Sequence, residues 1–316
     1  MKHTLIIAIA VFCSTASMNA LSGLGDFLNK AKEVSTRVTD AVESVEATAS
    51  TPSKKESLTT SVSDHSAEVI LPFGEITWDD QIFTIIRKIQ HMDADKIVAS
   101  IGHEKVAIDR TASEQQVSGK LDHLIRQKIQ SLDALKAKGL LGKYINKNGN
   151  EQSYAAYGIE LDAKGINILG ITYHLTATLL PSPGIAIQRP KSVYMNTGLG
   201  LAMPLGLYEV SLTSRSPSLK EKHSVINKKL LTKYNRPIAV QGGRTHDSLQ
   251  LWNDILSGTS GDSQGHTISI ESGASHSYIT YRYERFESDF SDIYGAHMSK
   301  IEAAQNSRKS DMANNF

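Results

Sequence analysis

The chain has 316 residues, of which 40% are hydrophobic and 21% charged, which is enough to build a folded domain with its own core. Its 34 Lys and Arg residues nearly balance 33 Asp and Glu residues, giving a formal net charge of +1. This balance excludes a general electrostatic attraction to nucleic acid or anionic lipid. The chain also lacks the roughly 18 uninterrupted apolar residues that predict a transmembrane helix.

The first twenty residues, MKHTLIIAIAVFCSTASMNA, have the pattern of a secretory signal peptide. A short basic start precedes an apolar run from Leu5 to Phe12, and small residues follow the run. Cleavage is expected after Ala16 or Ala20, and a helical pattern that begins directly after Ala20 favours the second site. We therefore expect an exported protein that is periplasmic or secreted.

Cys13 is the only cysteine and lies inside the predicted signal. Phe12 precedes it, where lipid modification requires a small residue, so lipidation is not expected. The mature chain then has no disulfide, no thiol chemistry and no thiolate metal site. Together with the short signal, this favours a bacterial periplasm or medium over a eukaryotic extracellular setting.

Residues 21–48 are predicted to form an amphipathic helix or a short coiled coil, because apolar residues recur at alternating steps of three and four. The opposite face carries three basic and five acidic side chains, which favours self-association or docking on a protein partner over lipid binding. The candidate oligomerisation residues are Leu24, Phe27, Val34, Val38 and Val45. A marginal, partly ordered helix is the alternative, because the stripe contains Ala and Val more than Leu and Ile. Residues 49–68, rich in Ser, Thr and Lys, predict a flexible linker.

Residues 69–150 are predicted to form a helix-rich lobe. Capping boxes at 77–80 and 111–114 predict two helix starts, and the second helix is expected to run without a break to Gly139. The apolar pattern also predicts a short strand at 69–74 and a hairpin from 97–101 and 106–108.

Residues 151–290 are predicted to form a β-rich lobe. Strict alternation over 171–179 predicts a strand with one buried and one wet face, and a second strand is expected over 207–212. Ser216 and Pro217 predict a helix start, and residues 266–271 and 276–286 predict a β-hairpin. Irregular loops are expected over 193–206 and 257–265, and residues 291–316 are expected to start as a helix and to end as a polar tail.

These elements predict an α+β fold: an antiparallel sheet with hairpins packed against helices, preceded by an amphipathic helix and a flexible linker.

Ser263 lies in Gly-Asp-Ser-Gln-Gly, which fits the G-x-S-x-G pattern of a nucleophile elbow. An elbow needs a helix after the serine, whereas the residues from His266 onward read as a strand. Asp289 or Asp292 with His297 would complete a serine, acid and histidine order. A trypsin-like protease is disfavoured because the chain has no Ala-Ala-His-Cys run. A serine hydrolase using Ser263, Asp292 and His297 is kept as an alternative.

The stretch around Gly198-Leu199-Gly200 resembles a phosphate-binding loop only in part, because Met203 stands where a third glycine is needed. A packed loop or a contact surface are the two interpretations. The candidate contact residues are Tyr194, Met195, Leu199 and Met203.

Eleven histidines are scattered along the chain without metal-ligand spacing, so neither a metal nor a cofactor is predicted. Tyr278, Arg282 and their neighbours on the last predicted strand could present an aromatic and basic platform. The alternation there favours a core on one face and salt bridges on the other. The favoured function is a non-enzymatic exported protein that binds a partner or supports an envelope assembly, and a secreted serine hydrolase is the alternative.

Overall fold

A computed structural model describes residues 69–196, 198–215, 220–234, 249–252, 255–273 and 275–314. The predicted signal peptide, N-terminal helix and linker lie outside these residues, and so do Leu24, Phe27, Val34, Val38 and Val45.

Six α-helices lie in the described part of the chain. They are α1 (Ile82–His91), α2 (Glu114–Lys128), α3 (Leu132–Ala137), α4 (Pro183–Gln188), α5 (Lys220–Tyr234) and α6 (Phe286–Asn314). One turn of 3-10 helix covers Pro190–Ser192.

The described strands form one twelve-stranded sheet. They are β1 (Lys96–Ile101), β2 (Glu104–Ile108), β3 (Leu141–Ile145), β4 (Glu151–Ala155), β5 (Ile159–Ile168), β6 (Ile171–Pro181), β7 (Val193–Asn196), β8 (Leu201–Arg215), β9 (Gln250–Trp252), β10 (Ile255–Gly261), β11 (His266–Ser272) and β12 (His276–Tyr283).

The main strand order is β2-β1-β5-β6-β8-β12-β11-β10-β9, and every neighbouring pair in it is antiparallel. The first residues of the long strand β8 pair with β7 and, at one parallel position, with β4, whereas its later residues pair with β6 and β12. Strand β8 therefore joins a small side sheet to the main one. The α+β class expected from the sequence agrees with this mostly antiparallel sheet and its helices.

Buried and polar side chains alternate along the strands, so the main sheet has one buried face and one polar face. Five of these strands each bury an apolar or aromatic residue whose neighbours in sequence are polar. The buried residues are Leu161, Tyr173, Leu212, Ile279 and Ile268. Helices α1 and α2 pack at the β1 and β2 end, and α5 packs at the β9 to β11 end. The pairing of β1 with β5 and a shared apolar core connect residues on both sides of position 150.

Several predicted elements are confirmed. The hairpin of β1 and β2 lies where expected, the apolar side of α1 is buried, and β6 alternates as predicted. The β11 and β12 hairpin is present, with Tyr281 and Tyr283 buried on one face.

Two helix starts differ from the prediction. Helix α1 begins at Ile82, after a turn in which the Thr77 amide donates to the Asp80 carboxylate at 2.7 Å. The capping box of α2 is formed by Ser113 and Gln116: the Ser113 hydroxyl accepts from the Gln116 amide, and the Gln116 side chain accepts from the Ser113 amide. That helix stops at Lys128, and α3 starts anew after Ser131, which caps it.

Two segments predicted to be irregular are regular, the helix expected at the start of 291–316 extends to Asn314, and one predicted strand is absent. Residues 193–206 form the β7 and β8 hairpin, with Gly200 at φ +64 in its turn. Residues 255–261 form strand β10, and residues 286–314 form helix α6. Residues 69–74 are not a strand, because the Ile70 amide bonds to a side chain, Asp262, instead of a neighbouring strand. Within the described ranges, no helix combines the length and apolar character needed to cross a bilayer.

Candidate functional site

Ser263 lies at the exposed tip of the turn between β10 and β11. The neighbouring Asp262 organises this turn: its Oδ1 atom accepts from the backbone amides of Gln264 at 2.8 Å and His266 at 3.0 Å. Gly265 closes the turn at φ +85, a region that favours glycine. Strand β11 follows at His266, so the element after Ser263 is the strand that the sequence predicts.

His297 and Asp292 both lie on α6, and neither contacts Ser263. The His297 ring donates from Nε2 to the Ile145 carbonyl at 3.2 Å, and Asp292 is exposed. Asp289, the other acidic candidate, accepts from the Tyr283 hydroxyl at 2.8 Å. No hydrogen bond or ion pair joins Ser263 to these side chains in the described part of the chain, so the hydrolase candidates are not brought together by contact.

The predicted contact residues are divided between the core and the surface. Met203 is fully buried, and Tyr194 is buried, with its hydroxyl donating to the Asp122 carboxylate and lying 3.3 Å from the Ser118 carbonyl oxygen. Burial and the Asp122 carboxylate raise the pKa of Tyr194. Leu199 is half-buried, and Met195 is 41% exposed. The surface that these four residues offer is therefore mainly Met195.

The largest organised polar surface is the face of the main sheet opposite the core, called here the open face. It consists of three side-chain rows that cross the strands at directly paired positions. They are Asp162, Thr176, Ser211, Thr280, Ser269 and Thr259; Glu160, Thr178, Glu209, Arg282 and Thr267; and His174, Thr213, Tyr278, Glu271 and Ser257.

The middle row carries five hydroxyl side chains on five adjacent strands, from Thr176 on β6 to Thr259 on β10. Ser211, on β8, is only 2% exposed, and the other four are half-buried. Adjacent strands lie about 4.8 Å apart, so the row extends over roughly 19 Å. Thr259 and Ser269 share a hydrogen bond at 3.0 Å, and the Thr176 hydroxyl donates to Asp162 at 2.9 Å. These bonds hold hydroxyl groups at a regular spacing on a rigid sheet.

Asp162 ends the middle row as a partnered carboxylate. Burial raises its pKa, but hydrogen bonds from His174 and Thr176 outweigh that effect and hold the pKa below its usual value. Burial, with Asp162 nearby, instead raises the pKa of Glu160, two residues earlier on β5. The two carboxylates thus differ in their readiness to take up a proton.

Glu209 and Arg282 form an ion pair in the next row, with nitrogen to oxygen distances of 2.6 and 2.7 Å. Burial raises the pKa of Glu209 against the attraction of Arg282. The guanidinium also lies over the Tyr208 ring, 5.8 Å from its centroid. Glu209 and Arg282 therefore neutralise each other locally.

Tyr278 gives the open face an aromatic group. Arg215 donates to its hydroxyl at 2.9 Å and lies over its ring at 5.8 Å. Tyr278 and Arg282 thus lie on the polar side of β12, while Tyr281 and Tyr283 lie in the core. This agrees with the favoured interpretation of the last strand.

No cluster of three or more His, Cys, Asp or Glu side chains suited to a metal ion occurs among the described residues. A shallow depression of about 240 Å³ lies away from this face, lined by residues of α1 and the segment before α2, including Arg87, His91 and Arg110. Hydrogen bonding is the chemistry that the open face can offer.

The sequence contains a signal for this surface that the prediction left unused. Thr172, His174, Thr176 and Thr178 occupy every second position of β6, and Glu160 and Asp162 do so on β5. Alternation alone indicates a wet face and no more. The alignment of hydroxyls across strands depends on strand order and register, which a single sequence does not contain. No protein-family model matches the chain, and neither a curated protein nor a solved structure is detectably similar to it.

Proposed function

We propose that this chain is an exported, non-enzymatic binding protein and that the open face contacts its partner. The observation that carries the proposal is the row of five hydroxyls from Thr176 to Thr259, beside which Asp162 pairs with His174 and Glu209 pairs with Arg282. Export rests on the signal-peptide pattern of residues 1–20.

The composition of the open face favours a neutral, hydroxyl-rich ligand, a polysaccharide of the cell envelope. A protein interface has a core of apolar and aromatic side chains, whereas here hydroxyls fill the centre. Nucleic acid requires unpaired basic groups, but Arg282 and His174 face carboxylates. A polysaccharide presents many hydroxyls that both donate and accept, as Thr and Ser side chains do. The exposed part of the Tyr278 ring adds an apolar surface against which a sugar ring can pack.

Hydroxyl replacement tests this proposal. The purified protein is incubated with insoluble peptidoglycan, cellulose and chitin, and the bound fraction is compared with that of Thr176→Val, Thr280→Val and the double variant. Valine keeps the size and β-branching of threonine, so the strands are retained. Thr111→Val, in the turn before α2, is the matched control. We expect retention on at least one matrix, at least tenfold weaker binding for the double variant, and no change for the control.

Two results would assign the function to another part of the protein. Equal binding by the double variant, with loss of binding in Met195→Ser, would assign the contact to the β7 and β8 hairpin. Labelling of the purified protein by a fluorophosphonate probe, abolished by Ser263→Ala, would support the alternative secreted serine hydrolase.

Self-association through residues 21–48 is a separate part of the proposal, supported by the apolar stripe of that segment. Light scattering of the purified protein is compared with that of a variant carrying Phe27→Glu and Val34→Glu. A mass that falls to the monomer in the variant supports oligomerisation. Equal monomeric masses would leave docking on another protein as the role of the helix.

A further inference from the structure

A second polar row lies on the buried face of the sheet, beneath α5. Ser214, Ser277 and Ser272 occupy directly paired positions on β8, β12 and β11. Tyr173 on β6 lies beside them, where the Ser214 hydroxyl donates to the adjacent Thr172 carbonyl at 2.9 Å. These four residues, called here the buried hydroxyl row, are each 3% exposed or less.

Helix α5 covers the buried hydroxyl row with polar side chains. His223 and Asn227 are fully buried on its inner side, and the Asn227 amide donates to the Ser272 carbonyl at 3.2 Å. The same helix also buries Ile226, beside Asn227, and Leu230, one turn after Ile226, and the next row of the sheet is Leu212, Ile279 and Ile270. The polar character is therefore confined to one place between α5 and the sheet.

Several polar atoms in this place have no hydrogen-bond partner among the described residues. They are both ring nitrogens of His223 and, apart from the bond between them, the hydroxyls of Tyr173 and Ser277. Burying a polar group without a partner costs free energy comparable to a lost hydrogen bond, and apolar residues at these positions would avoid the cost. The unpartnered His223 ring and this pair of hydroxyls come from three different elements, and together they indicate a site built for a ligand.

The side chains around these atoms define the charge of the ligand. Hydroxyls and an imidazole can all donate hydrogen bonds, and none of the residues of the buried hydroxyl row or the inner side of α5 named above is acidic. His276 lies close enough to His223 to act on it electrostatically, and Glu271 pairs with His276 at 3.7 Å on its other side. Burial, with His276 nearby, lowers the pKa of His223, and burial raises the pKa of Tyr173 to about 12 against the effect of its hydrogen bond with the Ser277 hydroxyl. The His223 ring and the Tyr173 hydroxyl are therefore both neutral near pH 7 before an anion binds.

We propose that Tyr173, Ser277 and His223 form a binding site for a small oxyanion, a carboxylate or an inorganic oxyanion, beneath α5. The hydroxyls donate to the anion, and the His223 ring takes up a proton from solvent as the anion binds, which keeps the buried charge balanced. This site is independent of the open face, which lies on the other side of the sheet.

Thermal unfolding in added salts tests the proposal. The purified protein is titrated with sodium formate, acetate and phosphate at pH 6 and pH 8, with sodium chloride at the same ionic strength as the reference. We expect a saturable rise in Tm with at least one oxyanion, at concentrations at least tenfold lower at pH 6 than at pH 8. Histidine NMR should show the His223 ring becoming protonated on binding. The neutral isostere formamide should have no such effect.

Variants distinguish this site from general salt effects. Tyr173→Phe and Ser277→Ala remove the hydroxyls without adding volume, and each should weaken anion binding at least tenfold. Tyr281→Phe is the matched control, because that tyrosine is equally buried on the same face but bonds to the Tyr234 hydroxyl at 2.8 Å. It should bind the anion as the unmodified protein does. An absent saturable effect, an equal response to formamide, or unchanged binding in both hydroxyl variants would overturn the proposal.

Discussion

Asp262 binds Ile70 across 192 positions of sequence: the carboxylate Oδ2 accepts from the Ile70 amide at 2.7 Å. The same oxygen lies 2.9 Å from Nδ1 of the His266 ring. Trp78 stacks on that ring at a centroid distance of 4.8 Å and donates to the Ile70 carbonyl at 2.7 Å. One buried carboxylate thus attaches the first described residues to the turn between β10 and β11.

Replacing Asp262 should destabilise the protein, whereas replacing its neighbour Ser263 should not. Asp262→Ala leaves the Ile70 amide and the His266 ring without their acceptor, and we expect the free energy of unfolding to fall by about 3 kcal/mol. Ser263→Ala, at an exposed turn position, should change it by less than about 0.5 kcal/mol. Urea denaturation of both variants measures the difference. Equal stability of the two would contradict this role of Asp262.

The sequence identified the motif around Ser263 but not the residue in it that matters for the fold. The prediction that a strand follows Gly265 is confirmed, because alternation from His266 onward is a local signal. The bond from Asp262 to Ile70 is long-range and has no local signature. The prediction of a strand at residues 69–74 is wrong for the same reason. The apolar side chains of Ile70 and Phe73 are buried in the core, as Trp78 is, and do not mark a strand.

Local periodicity predicted β6, the two hairpins and the apolar side of α1, while elements without a clear period were missed. Strand β10 contains Ser257, Gly258 and Thr259, which resemble a loop, and it is a strand because β11 pairs with it along its length. Helix α6 was predicted only at its start, because the second half of the segment is polar and has no apolar period. The open face and the buried hydroxyl row are both products of register, so sequence alternation indicated single strands but not the assembled sites.

Gly184 should not tolerate a methyl group. A Cβ at this position in α4 would lie 1.9 Å from the Phe290 carbonyl oxygen of α6 and 2.7 Å from its carbon. Backbone atoms cannot rotate away, so the two helices must separate. We expect Gly184→Ala to lower the free energy of unfolding by about 1 to 3 kcal/mol, measured by urea denaturation.

The same substitution at Gly119 should raise the stability of the protein. It lies inside α2, is exposed, and an added Cβ would meet no atom within 4 Å. Alanine favours a helix interior over glycine by about 1 kcal/mol, so Gly119→Ala should raise stability by roughly that amount. A loss of stability in both variants would show that helix packing around Gly184 is not the cause of the first effect.

The two halves of α6 should contribute differently to stability. Phe290 is fully buried, with its ring 4.9 Å from Phe286 and 5.0 Å from the Arg189 guanidinium carbon. Phe290→Ala should cost about 3 to 5 kcal/mol because it leaves a cavity in the core. Residues 302–312 are all exposed, so replacing Met312 by Ser should leave the unfolding midpoint in urea unchanged. A large effect at Met312 would indicate that this end of the helix packs against another molecule.

The Asp262 carboxylate should also make stability depend on pH in the acid range. Burial raises its pKa, but hydrogen bonds from the His266 ring and from the Ile70 and His266 amides outweigh burial, so the folded-state pKa is lowered. An Asp in the unfolded chain titrates near pH 3.9. Because the folded state releases this proton more readily, the stabilisation is complete well above that pH and is lost as the pH falls through the lower folded-state pKa. Asp262→Asn cannot titrate, so the stability difference between it and the unmodified protein should be constant from pH 5 to 6 and shrink towards pH 2.5. Urea denaturation across this range measures the difference, and one that stays constant at every pH would contradict a lowered pKa of Asp262.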